Sequence, residues 1–151
     1  MHRHRRRRTG AAVPDNSNGL LMMSTDLSML TWTSGLTALL WLPYILARIA
    51  KYGVIEALTY RADSLPVPAW AERAKKAHYN AVENLVVFAA LVLVAHLTGA
   101  ANAATAAAAV AYFLARLVHY PVYVANIPFM RTLTFAIGWL SLVCIFYQIV
   151  T

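Results

Sequence analysis

Four apolar blocks, Leu27 to Ala50, Ala77 to Thr98, Asn102 to Ala125 and Arg131 to Val150, leave this chain few ways to fold. Each is close to the roughly 20 residues with which a helix crosses about 30 Å of hydrocarbon. Composition points the same way. Of the 151 residues 60% are hydrophobic and 13% charged, where a soluble domain carries about 25% charged residues. The expected fold is an all-α integral membrane protein, an up-down four-helix transmembrane bundle forming one domain over residues 27–150 with no soluble appendage. The single cysteine, Cys144, lies in the last span. No intrachain disulfide is available to it, and it reads as a small buried hydrophobe.

The formal charge of +7 is unevenly placed. Arg3 and Arg5 to Arg8 supply five of the 13 basic residues, ahead of a turn-rich stretch from Thr9 to Gly19. Residues 1–26 are therefore expected to be a disordered Arg-rich tail. Such a tail suits anionic lipid or nucleic acid through counterion release. The plainer expectation is an extension without function, with translation starting at Met22 or Met23 and no nucleic-acid partner. No apolar core directly follows the basic run, so it does not resemble a cleavable signal peptide. Between the first two spans lie Lys51, Arg61, Arg73, Lys75 and Lys76, whereas the turn from Thr98 to Asn102 carries no charge. The positive-inside rule puts the first loop and the Asn126 to Met130 turn in the cytoplasm and both termini outside. The Arg-rich tail opposes that orientation but ends near the limit at which loop charges count.

Within the first span Pro43 removes a donor and frees the Leu39 carbonyl, which predicts a kink between Leu39 and Pro43. Trp32, Trp41 and Tyr44 read as interface anchors or packing residues. The following loop, with Pro66, Pro68 and Trp70 beside a basic run, is expected to lie along the membrane surface as irregular chain plus a short helix. In the second span Lys76, Asn80 and Glu83 are spaced i, i+4, i+7 and form one helical stripe. A carboxylate at mid-membrane costs roughly 2.5 to 3.5 kcal/mol even on lenient insertion scales, so Glu83 needs a partner or a purpose. His78 lies near the interface, where it can simply be solvated. His78 and His96 are 18 residues apart, about 27 Å along a helix, and cannot share a metal within one chain.

The third span opens with a run of small residues from Ala103 to Ala109 that permits close helix approach. It continues to Tyr112, Arg116, His119 and Tyr123, again on one helical face, with Pro121 expected to bend the last turn. Arg116 either snorkels to the surface or faces a partner, and the histidine and tyrosines on its face favour the partner. Arg131 and Thr132 mark the first turn of the fourth span. In an up-down bundle, Lys76, Asn80 and Glu83, then Arg116, His119 and Tyr123, then Arg131 all reach one membrane level. Two arginines, a lysine and one carboxylate walled by apolar helices suit a polar anionic ligand, with grooves nearby for lipophilic molecules. A guanidinium beside a bound thiol favours the thiolate. Lowering a thiol pKa from about 8.5 to about 7 takes roughly 2 kcal/mol, within reach of one well-placed arginine. The competing reading is a structural ion pair between Glu83 and Arg116.

AlaHisTyrAsnAlaValGluAsn entering a span, then ArgLeuValHisTyrProValTyr, then ArgThrLeuThrPhe after a short turn, resembles the MAPEG family, the membrane-associated proteins of eicosanoid and glutathione metabolism. The similarity runs in order from about Leu27 to Val150. It implies a homotrimer of four-helix subunits that binds glutathione between neighbours and acts as a transferase or peroxidase on lipophilic electrophiles. Carried over by position, Asn80 and Glu83 would hold the polar backbone of glutathione, with Lys76 on the same stripe. Arg116 and Tyr123 would add contacts from the third helix, and His119 falls within the matching motif. Arg131 would stabilise the thiolate, with Thr132 a hydroxyl partner. The location implied is a cell membrane, such as the bacterial inner membrane, with the site on the cytoplasmic side.

Two positions depart from the family pattern. Lys76 stands where glutathione-using relatives often have an arginine, a point charge in place of a bidentate fork. Pro121 sits where it can shift Tyr123. These departures weigh on glutathione more than on fold, so the alternative is a non-catalytic MAPEG-like lipid-binding or scaffold protein. A channel is disfavoured because one polar cluster at one end does not line a path across the membrane. No nucleotide loop, thiolate metal site or haem attachment motif is visible, and no cofactor beyond glutathione is expected.

Overall fold

The computed structural model describes residues 23–59, 61 and 63–151; the Arg-rich run falls outside them. Among the described residues six helices follow in order: α1 (Thr25–Leu39), α2 (Leu42–Tyr52), α3 (Val54–Leu58), α4 (Ala69–Thr98), α5 (Ala103–Val124) and α6 (Pro128–Val150). Four stretches are long and apolar enough to cross a membrane: Thr25–Tyr52, Ala69–Thr98, Ala103–Val124 and Pro128–Val150. The chain is thus a multi-pass helical membrane protein. The second span starts eight residues before the sequence boundary at Ala77, because Pro68 presets the entry and Ala71 and Ala74 are buried. At the first span the helix begins at Thr25, where the Ser24 hydroxyl accepts from the Leu27 N–H at 3.4 Å.

The kink expected between Leu39 and Pro43 is a break that separates α1 from α2 at Leu40 and Trp41. Proline at the start of α2 cannot donate backward, so carbonyls on the α1 side need other donors. One is met from across the bundle, where the Tyr120 hydroxyl donates to the Leu40 carbonyl at 3.1 Å. Below the break, Tyr44 Oη and His78 Nδ1 share a hydrogen bond of 3.1 Å between α2 and α4. The loop holds a short helix, α3, which presents Val54, Ile55 and Leu58 outward, and both Lys51 and Tyr52 hydrogen-bond the Pro66 carbonyl.

The helices alternate in direction, and polar pairs tie their ends. Asp26 of α1 accepts from Thr105 at the start of α5 at 3.3 Å, and Asn102 donates to Gln148 at the end of α6 at 2.8 Å. At the other end the Arg73 Nε of α4 donates to the Val124 carbonyl that closes α5 at 2.7 Å. The α4–α5 turn needs only four residues because Gly99 takes φ +74° and Asn102 caps α5 through the Ala104 and Thr105 N–H groups. Phe88, Val92, Ala95, Ala108, Ala109, Tyr112, Leu142 and Ile145 form the core. Within it Phe88 stacks on Tyr112, with centroids 4.0 Å apart and planes at 17°. The small residues of α5 divide between two tasks. Ala108 and Ala109 pack inward, while Ala104, Ala107, Ala108 and Ala111 line a groove of about 490 Å³ against Ile137, Leu140, Ser141 and Cys144 of α6.

Candidate functional site

Beyond the core, towards the end of the bundle where α4 starts, α5 finishes and α6 begins, the apolar packing gives way to an open cavity of about 160 Å³ lined by Asn80, His119, Tyr123, Arg131, Thr132 and Phe135. Arg116 sits behind it, 3% exposed. Its Nη1 donates to Asn80 Oδ1 at 3.1 Å, and its Cζ lies 5.1 Å from the Tyr112 ring centre and 5.6 Å from that of Phe135. Two ring faces and one neutral amide hold this cation; Nε and Nη2 are buried with no hydrogen-bond partner among the described residues. Arg131 is half-buried, with Cζ 5.1 Å from the Tyr123 ring. A guanidinium over an aromatic face gains about 0.5 to 2 kcal/mol, far less than a carboxylate partner would return in so dry a setting.

His119 is fixed by Thr134. Its Nδ1 lies 2.9 Å from Thr134 Oγ1, and the Thr134 hydroxyl is within reach of its own helix carbonyls at Met130, 2.9 Å, and Arg131, 3.1 Å. With that hydroxyl donating to the helix, the histidine donates Nδ1–H to Thr134, and a neutral ring keeps Nε2 as an acceptor. The imidazole also meets Tyr123 edge-on, centroids 5.6 Å apart.

Five of the eight candidate residues, Asn80, His119, Tyr123, Arg131 and Thr132, line one cavity, and Arg116 touches it through Asn80. Lys76 and Glu83 stand apart as exposed residues. The reason is angular: at about 100° per residue Glu83 is rotated about 60° from Asn80, enough for the stripe to straddle the edge of the buried face. The Glu83–Arg116 ion pair left open by the sequence is not formed, since the guanidinium takes Asn80. Thr134, Phe135 and Gly138, the last buried against the Arg116 guanidinium, were missed. A signal for two of them was present, because Arg131, Phe135 and Gly138 repeat the i, i+4, i+7 spacing that marked the other two helices.

A four-span helical bundle with a cationic cavity at one end of the membrane domain is the class of protein that fold and geometry define. Residues 28–151 match the MAPEG family, and the chain belongs to it. No curated protein and no solved structure matches the chain.

Proposed function

We propose that the protein is a glutathione-dependent membrane transferase or peroxidase that activates the glutathione thiolate against lipophilic electrophiles. The observation that carries this reading is a cavity lined by Arg131, backed through Asn80 by the buried Arg116, with no carboxylate among its lining residues. An anionic tripeptide fits that donor set: Asn80, Tyr123 and Thr132 offer hydrogen bonds beside Arg131, and Arg116 adds its charge from behind Asn80. A cavity of about 160 Å³ admits part of the tripeptide. We assign it the thiol-bearing part, with Arg131 beside the sulfur and Thr132 donating to it. The remainder would cross the exposed Lys76 and Glu83 stripe of α4, which a neighbouring subunit of a homotrimer would cover. Glutathione supplies the nucleophile, and the arginines hold and orient it. The positive-inside rule puts this end in the cytoplasm.

A second reading is supported by the apolar grooves along α5 and α6. The larger, about 490 Å³, ends near a second of about 330 Å³, and Ala111 and Ile137 line both. They suit a non-catalytic lipid-binding or scaffold protein in which the polar stripe only locks the oligomer. Calorimetry with glutathione on detergent-solubilised protein, read together with thiolate ultraviolet absorbance, separates the two. Under the enzyme reading, binding is saturable and the thiolate signal disappears in Arg131→Ala with the oligomer intact. No binding at millimolar glutathione, combined with loss of the oligomer in Glu83→Ala, would transfer support to the scaffold.

A further inference from the structure

The face of α6 that carries Arg131 and Phe135 continues to Gly138, which is buried. A Cβ built there would fall 2.2 Å from Arg116 Nη2 and 3.0 Å from both its Cζ and Nε. Ordinary contact between heavy atoms is about 3.5 to 4.0 Å, so the first distance is not tolerated. All three nearest atoms belong to the Arg116 side chain. The missing side chain therefore makes room for a guanidinium and not for a neighbouring backbone, the usual use of a small residue between membrane helices. An exposed arginine would answer an added methyl group by swinging aside. Arg116 is enclosed between the Tyr112 and Phe135 rings and tied to Asn80, so any displacement away from α6 gives up one of those contacts.

We propose that Gly138 is a positioning residue of the cationic site: the notch it leaves in α6 sets where the Arg116 guanidinium sits, and with it the Asn80 amide that faces the cavity. For its ligand this inference rests on the glutathione reading; for its geometry it does not. Alanine is the better helix former, so at a position with no such task the substitution would leave α6 unharmed.

The test is a double-mutant cycle on the full chain in detergent, with Gly138→Ala, Arg116→Ala and the pair, read by glutathione titration and by thermal melting. Gly138→Ala is expected to weaken glutathione binding at least about tenfold and to lower the melting temperature. In the Arg116→Ala background it should leave the remaining affinity unchanged and melting unchanged or raised. Equal losses in both backgrounds would overturn the proposal, as would lowered melting with wild-type affinity or no effect at all. Should Gly138→Ala fail to fold, recovery of folding in the pair supports the proposal, and failure of the pair as well overturns it. If the unsubstituted protein does not bind glutathione, that reading fails by itself, and the melting cycle alone decides whether Gly138 sets the place of Arg116.

Discussion

Asn80 is the only hydrogen-bond acceptor that Arg116 reaches among the described residues, which makes it the most sensitive point of the site. Asn80→Ala would leave the whole guanidinium buried with ring faces as its sole compensation. A hydrogen bond to a charged group is worth about 1.5 to 3 kcal/mol, and leaving its buried partner unpaired puts the cost at the upper end, about 2 to 3 kcal/mol. For a chain of this size each kcal/mol shifts the melting temperature by about 2 to 4 °C, so a fall of about 4 to 12 °C is expected in detergent. Asn80→Asp carries the more searching result. It puts a carboxylate where the amide accepts, so the protein should melt above Asn80→Ala and at or above the wild type. The same change cancels one of the two positive charges that hold an anion, so glutathione affinity should fall at least about tenfold. Stability and affinity thus move in opposite directions. Wild-type melting in Asn80→Ala, or tighter glutathione binding in Asn80→Asp, would refute the view that Arg116 is an undercompensated cation kept for an anionic ligand.

Two further substitutions separate scaffold from site. Tyr120→Phe removes the hydroxyl that serves the Leu40 carbonyl at the break between α1 and α2; melting should fall by the equivalent of about 1 kcal/mol, with glutathione affinity unchanged. Thr134→Val removes the Nδ1 partner of His119 while keeping side-chain size. Calorimetry should then show affinity reduced several-fold, because the imidazole loses the bond that fixes its orientation in the cavity.

The spans were legible in the sequence because burial in lipid forces continuous apolar runs, and the break in the first helix was legible because proline lacks a donor. Stripes on α4 and α5 could be read from helical spacing, which is why Asn80, Arg116, His119 and Tyr123 converge as expected. Spacing alone did not say which member of a stripe faces inward. Lys76 and Glu83 satisfy the same periodicity as Asn80 yet are exposed, since the edge of a buried face depends on the rotation of α4 against α5. Spacing from Arg131 and Phe135 marked the place of Gly138 on α6 but not its task. A glycine in a membrane helix ordinarily signals backbone approach, and only the path of the Arg116 side chain reveals that it accommodates a charge.

That path bears on why the site holds two arginines and no lining carboxylate. A guanidinium in an apolar bundle is costly unless paired, and here the pairing is deliberately weak: two aromatic faces, one amide and a notch in the facing helix. A carboxylate at Asn80 would satisfy Arg116 but would compete with any anion that enters. Glu83 lies about 60° round the helix from Asn80 on an exposed face, and no carboxylate lines the cavity. On the proposed reading, the electrostatic cost of burying Arg116 with so few partners would become part of the free energy with which an anionic ligand is held.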